Sequence, residues 1–211
     1  MSFSFPVMLD LEGKRCLVIG TGFGAQQKFE GLLRASAEVT LISSEAPEWL
    51  DRSQAAHVAR DYQHGDLSGF FLVIATLGHE KNHAIWLEAE ERGVLFNAVD
   101  DPQHCNFTYP AIHQQGDLLI AVSSNGKSPA LASRVRDQIA EFVGPEYGRL
   151  LEIVGGMRRR IAEQFPAFDE RKRVWYRLVD SQARERLRNG DEQGAREVLT
   201  EIINAGINGR N

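Results

Sequence analysis

From Arg15 to about Ala111 short apolar runs alternate with longer amphipathic ones: CLVIG, a glycine-rich turn, AQQKFEGLLRAS, EVTLIS, and later GFFLVIAT, HAIWLEAEERG and VLFNAVD. Strand, helix and strand in this order predict a parallel sheet with crossover helices, an α/β fold. The strand-like runs are continuous rather than alternating, as expected of strands covered on both faces.

Beyond His113 the pattern changes. DLLIAVSS predicts one more strand, and SNGKSP a turn in which Ser128 caps a helix with Pro129 at its first position. Leu131, Val135, Ile139 and Phe142 then form a helical stripe, and Leu150, Val154, Met157, Ile161 and Phe165 keep helical spacing through a weak point at Gly155 and Gly156. Two more helical segments are expected around 170–188 and 191–204, with the tail INAGINGRN frayed.

Composition adds bounds. At 211 residues, 43% hydrophobic and 25% charged, the chain suits one ordinary globular domain or a domain plus a smaller appendage. Without an apolar run approaching the ~18 residues of a membrane span, and without a leader-like start, it is expected to be cytoplasmic, with no membrane partner. Cys16 and Cys105 are too few for a disulfide framework and read as structural thiols. The net charge of −5 argues against nucleic acid, yet residues 120–188 hold 14 basic and 9 acidic side chains, a net +5, while the remainder carries −10. That skew suits an anionic ligand where the basic groups share a face, and a solvated helical surface otherwise.

The glycine-rich turn carries the first chemistry. Gly20, Gly22 and Ala25 form GxGxxA between a strand and a helix. The first glycine permits the turn, the second lets backbone amides reach a pyrophosphate, and the small third residue lets helix and strand pack. With Phe23 and Gly24 these residues predict a dinucleotide site at a helix N-terminus. The acid that binds the adenine ribose is expected near the end of the next strand, where the chain has Ser44 and Glu45. Glu45 with no arginine beside it favours NAD over NADP, the alternative being a solvated Glu45.

Thr76, Asn97 and Val99 fall where strands reach the carboxyl edge of the sheet and are expected on the nicotinamide side. Asp100 and Asp101 follow at once; Asp101, before Pro102, reads as a turn-starting aspartate whose side chain bonds local amides. His79 and His83 are spaced i,i+4 but lack a third metal ligand at matching spacing, so they read as a solvated helix face. Ser123, Ser124 and Ser128 satisfy backbone groups in a turn or bind a ligand carboxylate.

Four stretches together resemble the precorrin-2 dehydrogenase and sirohydrochlorin ferrochelatase family of siroheme synthesis, which includes the N-terminal half of siroheme synthases: PVMLDLEGKRCLVIGTGFGAQQK, LVIAT, NAVDDPQHCNFTYPAI and LLIAVSSNGKSPALASRVRDQI. The resemblance is clear over about residues 5–145 and looser in the helical tail. It departs at the glycine loop, where only Lys28 remains of a basic pair.

The resemblance implies a homodimer with a Rossmann-type NAD-binding domain over 1–113, a dimerisation segment over 114–146 and a helical C-terminal domain over 147–211. It implies precorrin-2, an octacarboxylate tetrapyrrole, as substrate, sirohydrochlorin as product, and Asp100 of the NxVD motif as general base. Ferrous iron is an expected further substrate, handled transiently at Asp100 and His104, with no resident metal. The basic skew then has a purpose: Ser124, Lys127, Ser128, Arg134 and Arg158 are candidates for the substrate carboxylates, with Arg136, Arg159, Arg160, Arg171 and Arg173 behind them. In 211 residues the methyltransferase domain fused in some relatives is not expected. A rival reading is an NAD-sensing module without turnover, which has no use for a base at NAVDD or for SSNGKSP.

Overall fold

The computed structural model describes residues 5–208, with side chains described to residue 206. The described residues divide into two compact units, the first ending at Tyr109 and the second beginning at Pro110.

In the first unit the apolar runs become five parallel strands: β1 (Arg15–Ile19), β2 (Glu38–Ser43), β3 (Ala56–Ala59), β4 (Leu72–Ala75) and β5 (Leu95–Ala98), in the spatial order β3-β2-β1-β4-β5. Helix α1 (Phe23–Arg34) links β1 to β2, and α2 (His79–Arg92) links β4 to β5. The two faces of the sheet follow from the period of two along each strand. Cys16 and Val18 join Ala25, Phe29 and Leu32 of α1 in one core, while Leu17 and Ile19 join Ile85 and Ala89 of α2 in the other. Cys16, fully buried, has its thiol pushed up to about 11 by desolvation, as a structural thiol should.

Strand β3 was not legible in the sequence, because AHVA is a half-buried edge strand with little apolar signal. No helix covers the crossovers on either side of it. Between β2 and β3, Pro47 and the turn in which Asp51 Oδ1 accepts from Ser53 N replace helical periodicity, and Trp49 and Leu50 pack on the first core instead.

The second unit starts with an antiparallel hairpin, β6 (Ala111–Gln115) and β7 (Leu118–Val122), pairing Ala111 with Val122 and Gln115 with Leu118. Strand β7 is the expected one; β6 was missed, and the expected boundary at 113/114 falls inside it. Helix α3 (Pro129–Phe142) packs on the hairpin, its first turn capped as expected by Ser128, whose Oγ accepts from Leu131 N at 3.2 Å. The helical remainder comprises α4 (Pro145–Gly156), α5 (Arg158–Gln164), α6 (Phe168–Val179), α7 (Ala183–Arg188) and α8 (Glu192–Asn208). The weak point after Gly155-Gly156 is real: α4 ends at Gly156 and α5 begins after Met157. The segment 170–188 is two helices, not one. The tail is helical to Asn208 rather than frayed from Ile203, since Ala195, Leu199 and Ile203 form a fully buried stripe; residues 209–211 lie outside the described residues.

Packing of α4 on the hairpin requires Gly148. A Cβ there would lie 2.4 Å from Gln115 O and 2.7 Å from Gln115 C, both backbone atoms. Gly148→Ala is therefore expected to destabilise the second unit by about 1–3 kcal/mol. Calorimetry should show its transition lowered, with the transition of the first unit unmoved.

Candidate functional site

The carboxyl edge of the parallel sheet gathers most of the expected residues. At the end of β1 the chain turns through Gly20 at φ 104° and Gly22 at φ 89°, both in the left-handed region that favours glycine. The two glycines serve different purposes. A Cβ at Gly20 would sit 2.4 Å from Thr76 Oγ1, so the turns after β1 and β4 touch there, whereas a Cβ at Gly22 would meet nothing within 4 Å. Gly22 thus faces the space a pyrophosphate would need, and as N-cap of α1 it offers no side chain to the first-turn amides. With no acid in that turn, the amides and helix dipole favour an anion. Ala25 is fully buried against the sheet, while Phe23 is exposed.

Thr76, half-buried, donates from Oγ1 to Ile19 O at 3.3 Å and stands beside the loop it holds. Val99 lies against the same loop, 3.5 Å from where a Cβ on Gly24 would be. Ser44 and Glu45 are exposed just beyond β2, where the ribose acid was expected. Asn97 is placed differently. It is buried, and its amide donates to Phe107 O at 3.0 Å and contacts Cys105 Sγ, so its side chain fastens the loop after β5 instead of presenting itself at the edge.

Asp100 follows β5 with φ 61°, a left-handed conformation that a non-glycine residue adopts only when its surroundings hold it there. Its carboxylate is exposed, and Lys28 of α1 lies within its field. Burial lowers the Lys28 pKa and Asp100 opposes that shift; the Lys28 ammonium sits 3.8 Å from the centre of the Tyr109 ring.

Asp101 corrects the sequence expectation in part. It does start a turn, accepting His104 N at 3.0 Å before the 3-10 segment Pro102–His104. Its side chain, however, is buried and bonds imidazoles rather than local amides. His104 Nδ1 lies 2.7 Å from Asp101 Oδ2, and His79 Nδ1 lies 3.2 Å from both oxygens. His83 Nδ1 lies 2.9 Å from His104 Nε2, and Trp86 flanks that pair. His79 and His83 are accordingly no plain solvated face. Their partners come from 21 or 22 residues away in the chain, where helical spacing gives no signal. Burial raises the Asp101 pKa, but the hydrogen bonds from His104 and His79 outweigh it and hold the carboxyl below its usual value. Sequence reasoning also missed Asn82, fully buried, whose Oδ1 accepts Leu77 N and so fixes the turn after β4.

The remaining expected residues belong to the second unit. Ser124 Oγ accepts Ser128 N at 3.0 Å and Ser123 Oγ accepts Asn125 N at 3.1 Å, so these hydroxyls satisfy the turn, with Lys127 exposed beside them. Arg171 reaches Phe165 O and Arg160 reaches Asn204, while Arg136 and Arg159 pair with Asp137 and Glu163. Among the described residues Arg134, Arg158 and Arg173 make no ion pair, and Arg134 and Arg158 are exposed.

Three family models match in succession: "Putative NAD(P)-binding" over residues 7–111, "Sirohaem biosynthesis protein central" over 115–141 and "Sirohaem synthase dimerisation region" over 146–203. The dimerisation description thus falls on the helical segment rather than on 114–146. A siroheme synthase of Photobacterium profundum is 33% identical over 93% of this chain and 43% of its own length; one of Chromobacterium violaceum is 35% identical over 96% and 44%. The chain spans less than half the length of these relatives. A solved structure described as SirC, precorrin-2 dehydrogenase, superposes with a TM-score of 0.76 over 94% of this chain and 98% of that one, at 23% identity, which shows the shared fold.

Two outcomes follow from this geometry. Gly22→Asp should abolish dinucleotide binding by placing a carboxylate in the anion's space, and undiminished binding in a calorimetric titration would remove the loop from the site. Asp101→Asn should cost about 1–3 kcal/mol by weakening a buried hydrogen-bonded group. Because the folded carboxyl titrates below its unfolded value of about 3.9, its stabilisation is present above that pH and is lost as pH falls through the folded value. The melting temperature of the variant should therefore be lower at neutral pH and should converge with that of the parent in acid.

Proposed function

The chain belongs to the siroheme synthase family, and from that premise we propose that it dehydrogenates precorrin-2 to sirohydrochlorin with NAD, and that it also inserts ferrous iron. The observation that carries the reading is the meeting, at one sheet edge, of a glycine loop open to a pyrophosphate and a strained, exposed aspartate. NAD supplies the hydride acceptor when bound. The chain's own contribution is positional and electrostatic. Amides at Gly22 to Gly24 hold the pyrophosphate, Glu45 accepts from the ribose 2′-hydroxyl, and Val99 and Thr76 line the nicotinamide end.

Asp100 takes the proton that the macrocycle loses and, in the second step, the pyrrole protons that iron displaces. Its left-handed backbone supports this role, since strain of about 1–3 kcal/mol is retained where the surroundings enforce a geometry. Lys127, Arg134, Arg158 and the Ser124–Ser128 turn are the groups proposed to meet the substrate carboxylates. A homodimer is the proposed assembly, supported by the dimerisation description and by the exposed apolar side chains Ile112, Leu119, Leu131 and Phe142 of the second unit.

Incubation with precorrin-2 and NAD should yield the sirohydrochlorin spectrum. Asp100→Asn keeps shape and hydrogen bonding but removes basicity, so kcat should fall by ~10²–10⁴ with NAD affinity and melting temperature nearly unchanged. A rate within threefold of the parent would show that another group is the base.

A further inference from the structure

We propose that His79, Asp101 and His104 form a binding site for a divalent transition-metal ion, with His83 supporting His104 from behind. One donor atom from each of the three residues lies within 4.8 Å of the others. Donors bound to one ion at about 2.1 Å lie roughly 3–4.3 Å apart, so the cluster needs only small side-chain adjustments. Two imidazoles and one carboxylate are a donor set for Fe²⁺, Co²⁺ or Zn²⁺ rather than for Ca²⁺ or Mg²⁺, which take oxygen ligands.

The surroundings are those of a metal ligand set. When an ion takes Nδ1 of His104, the ring proton moves to Nε2, and His83 Nδ1 is already 2.9 Å away to accept it. A partner on the far nitrogen is what fixes the tautomer and orientation of a ligating histidine. Asp101 and His104 are buried and held by the 3-10 turn, with Cys105 Sγ donating to Asp101 O. Cys105 Sγ is itself engaged with Ala98 O and Asp101 O, each at 3.3 Å, and lies outside the three-residue cluster.

His79, by contrast, is 65% exposed. The site is closed on the protein side and open to solvent, a form suited to an ion that arrives and leaves. Its purpose rests on the reading above: ferrous iron held at Asp101 stands one residue from the proposed base, Asp100, and is presented to the macrocycle from there.

The test is a titration of the chelator-stripped full chain with Co²⁺, followed by its visible d–d absorption. One equivalent should bind with a spectrum of mixed nitrogen and oxygen ligation, and a large excess of Fe²⁺ added without oxygen should diminish it by competition, Co²⁺ being the tighter-binding of the two at such donors. His79→Ala, at an exposed position, should weaken binding at least tenfold while the metal-free variant keeps its melting temperature. His104→Ala should abolish the spectrum, and His64→Ala, outside the cluster, should leave it intact. No binding at millimolar Co²⁺, or equal loss in the His64 variant, would overturn the site and leave a hydrogen-bonded network. Dehydrogenation by the same stripped sample separates the two readings. Turnover without metal binding refutes the site alone, and metal binding without turnover supports the site and refutes the dehydrogenase reading.

Discussion

Everything at the carboxyl edge depends on the parallel pairing of β1 with β4 at the centre of the sheet. Parallel strands need crossovers, and those on the two sides of this pair leave toward opposite faces: α1 packs with Cys16 and Val18, and α2 with Leu17 and Ile19. The turns after β1 and β4 therefore lie at the point where strand order reverses, the place at which open α/β sheets bind their ligands. That place is not left loose. Gly20 and Thr76 meet so closely that a Cβ would not fit between them, which sets the height at which Gly22 presents its amides.

The loop after β5 is built with equal care and a different means. Asn97, Cys105 and Asn106 fasten it by side-chain bonds to backbone, Asn106 through Phe96 N at 2.7 Å and Asn97 through Phe107 O. This fastening holds Asp100 in a left-handed conformation and directs Asp101 inward. Two adjacent carboxylates thereby acquire opposite environments. One is exposed near a lysine, and the other is buried among imidazoles. Neighbouring residues divide the chemistry because a backbone reversal separates their side chains.

Much of this was legible beforehand, and for identifiable reasons. Strands β1, β2, β4 and β5 and helices α1 and α3 announce themselves by local periodicity, by the glycine-rich turn before α1 and by the Ser128 cap. The elements that stayed hidden, β3 and β6, are short and half-buried, so their side chains carry a mixed pattern that tertiary pairing alone turns into strand. The division of 170–188 into two helices, with Asp180–Gln182 between them, left no proline or glycine to mark it.

The candidate site divides along the same line. The glycine loop and the NAVDD stretch are contiguous in sequence, and the chemistry of a pyrophosphate or a strand-end carboxylate needs only that local order. The sequence by itself therefore determined the sheet, the glycine loop at its carboxyl edge and the place of Asp100. Tertiary structure alone decided that Asn97 clamps a loop, that Asp101 turns from the local amides to histidines, and that His79 and His83 meet partners more than 20 residues away. Those contacts arise because α2 and the segment after β5 are brought side by side through β4 and β5. No periodicity along the chain encodes a distance between two elements that only the folded sheet makes neighbours.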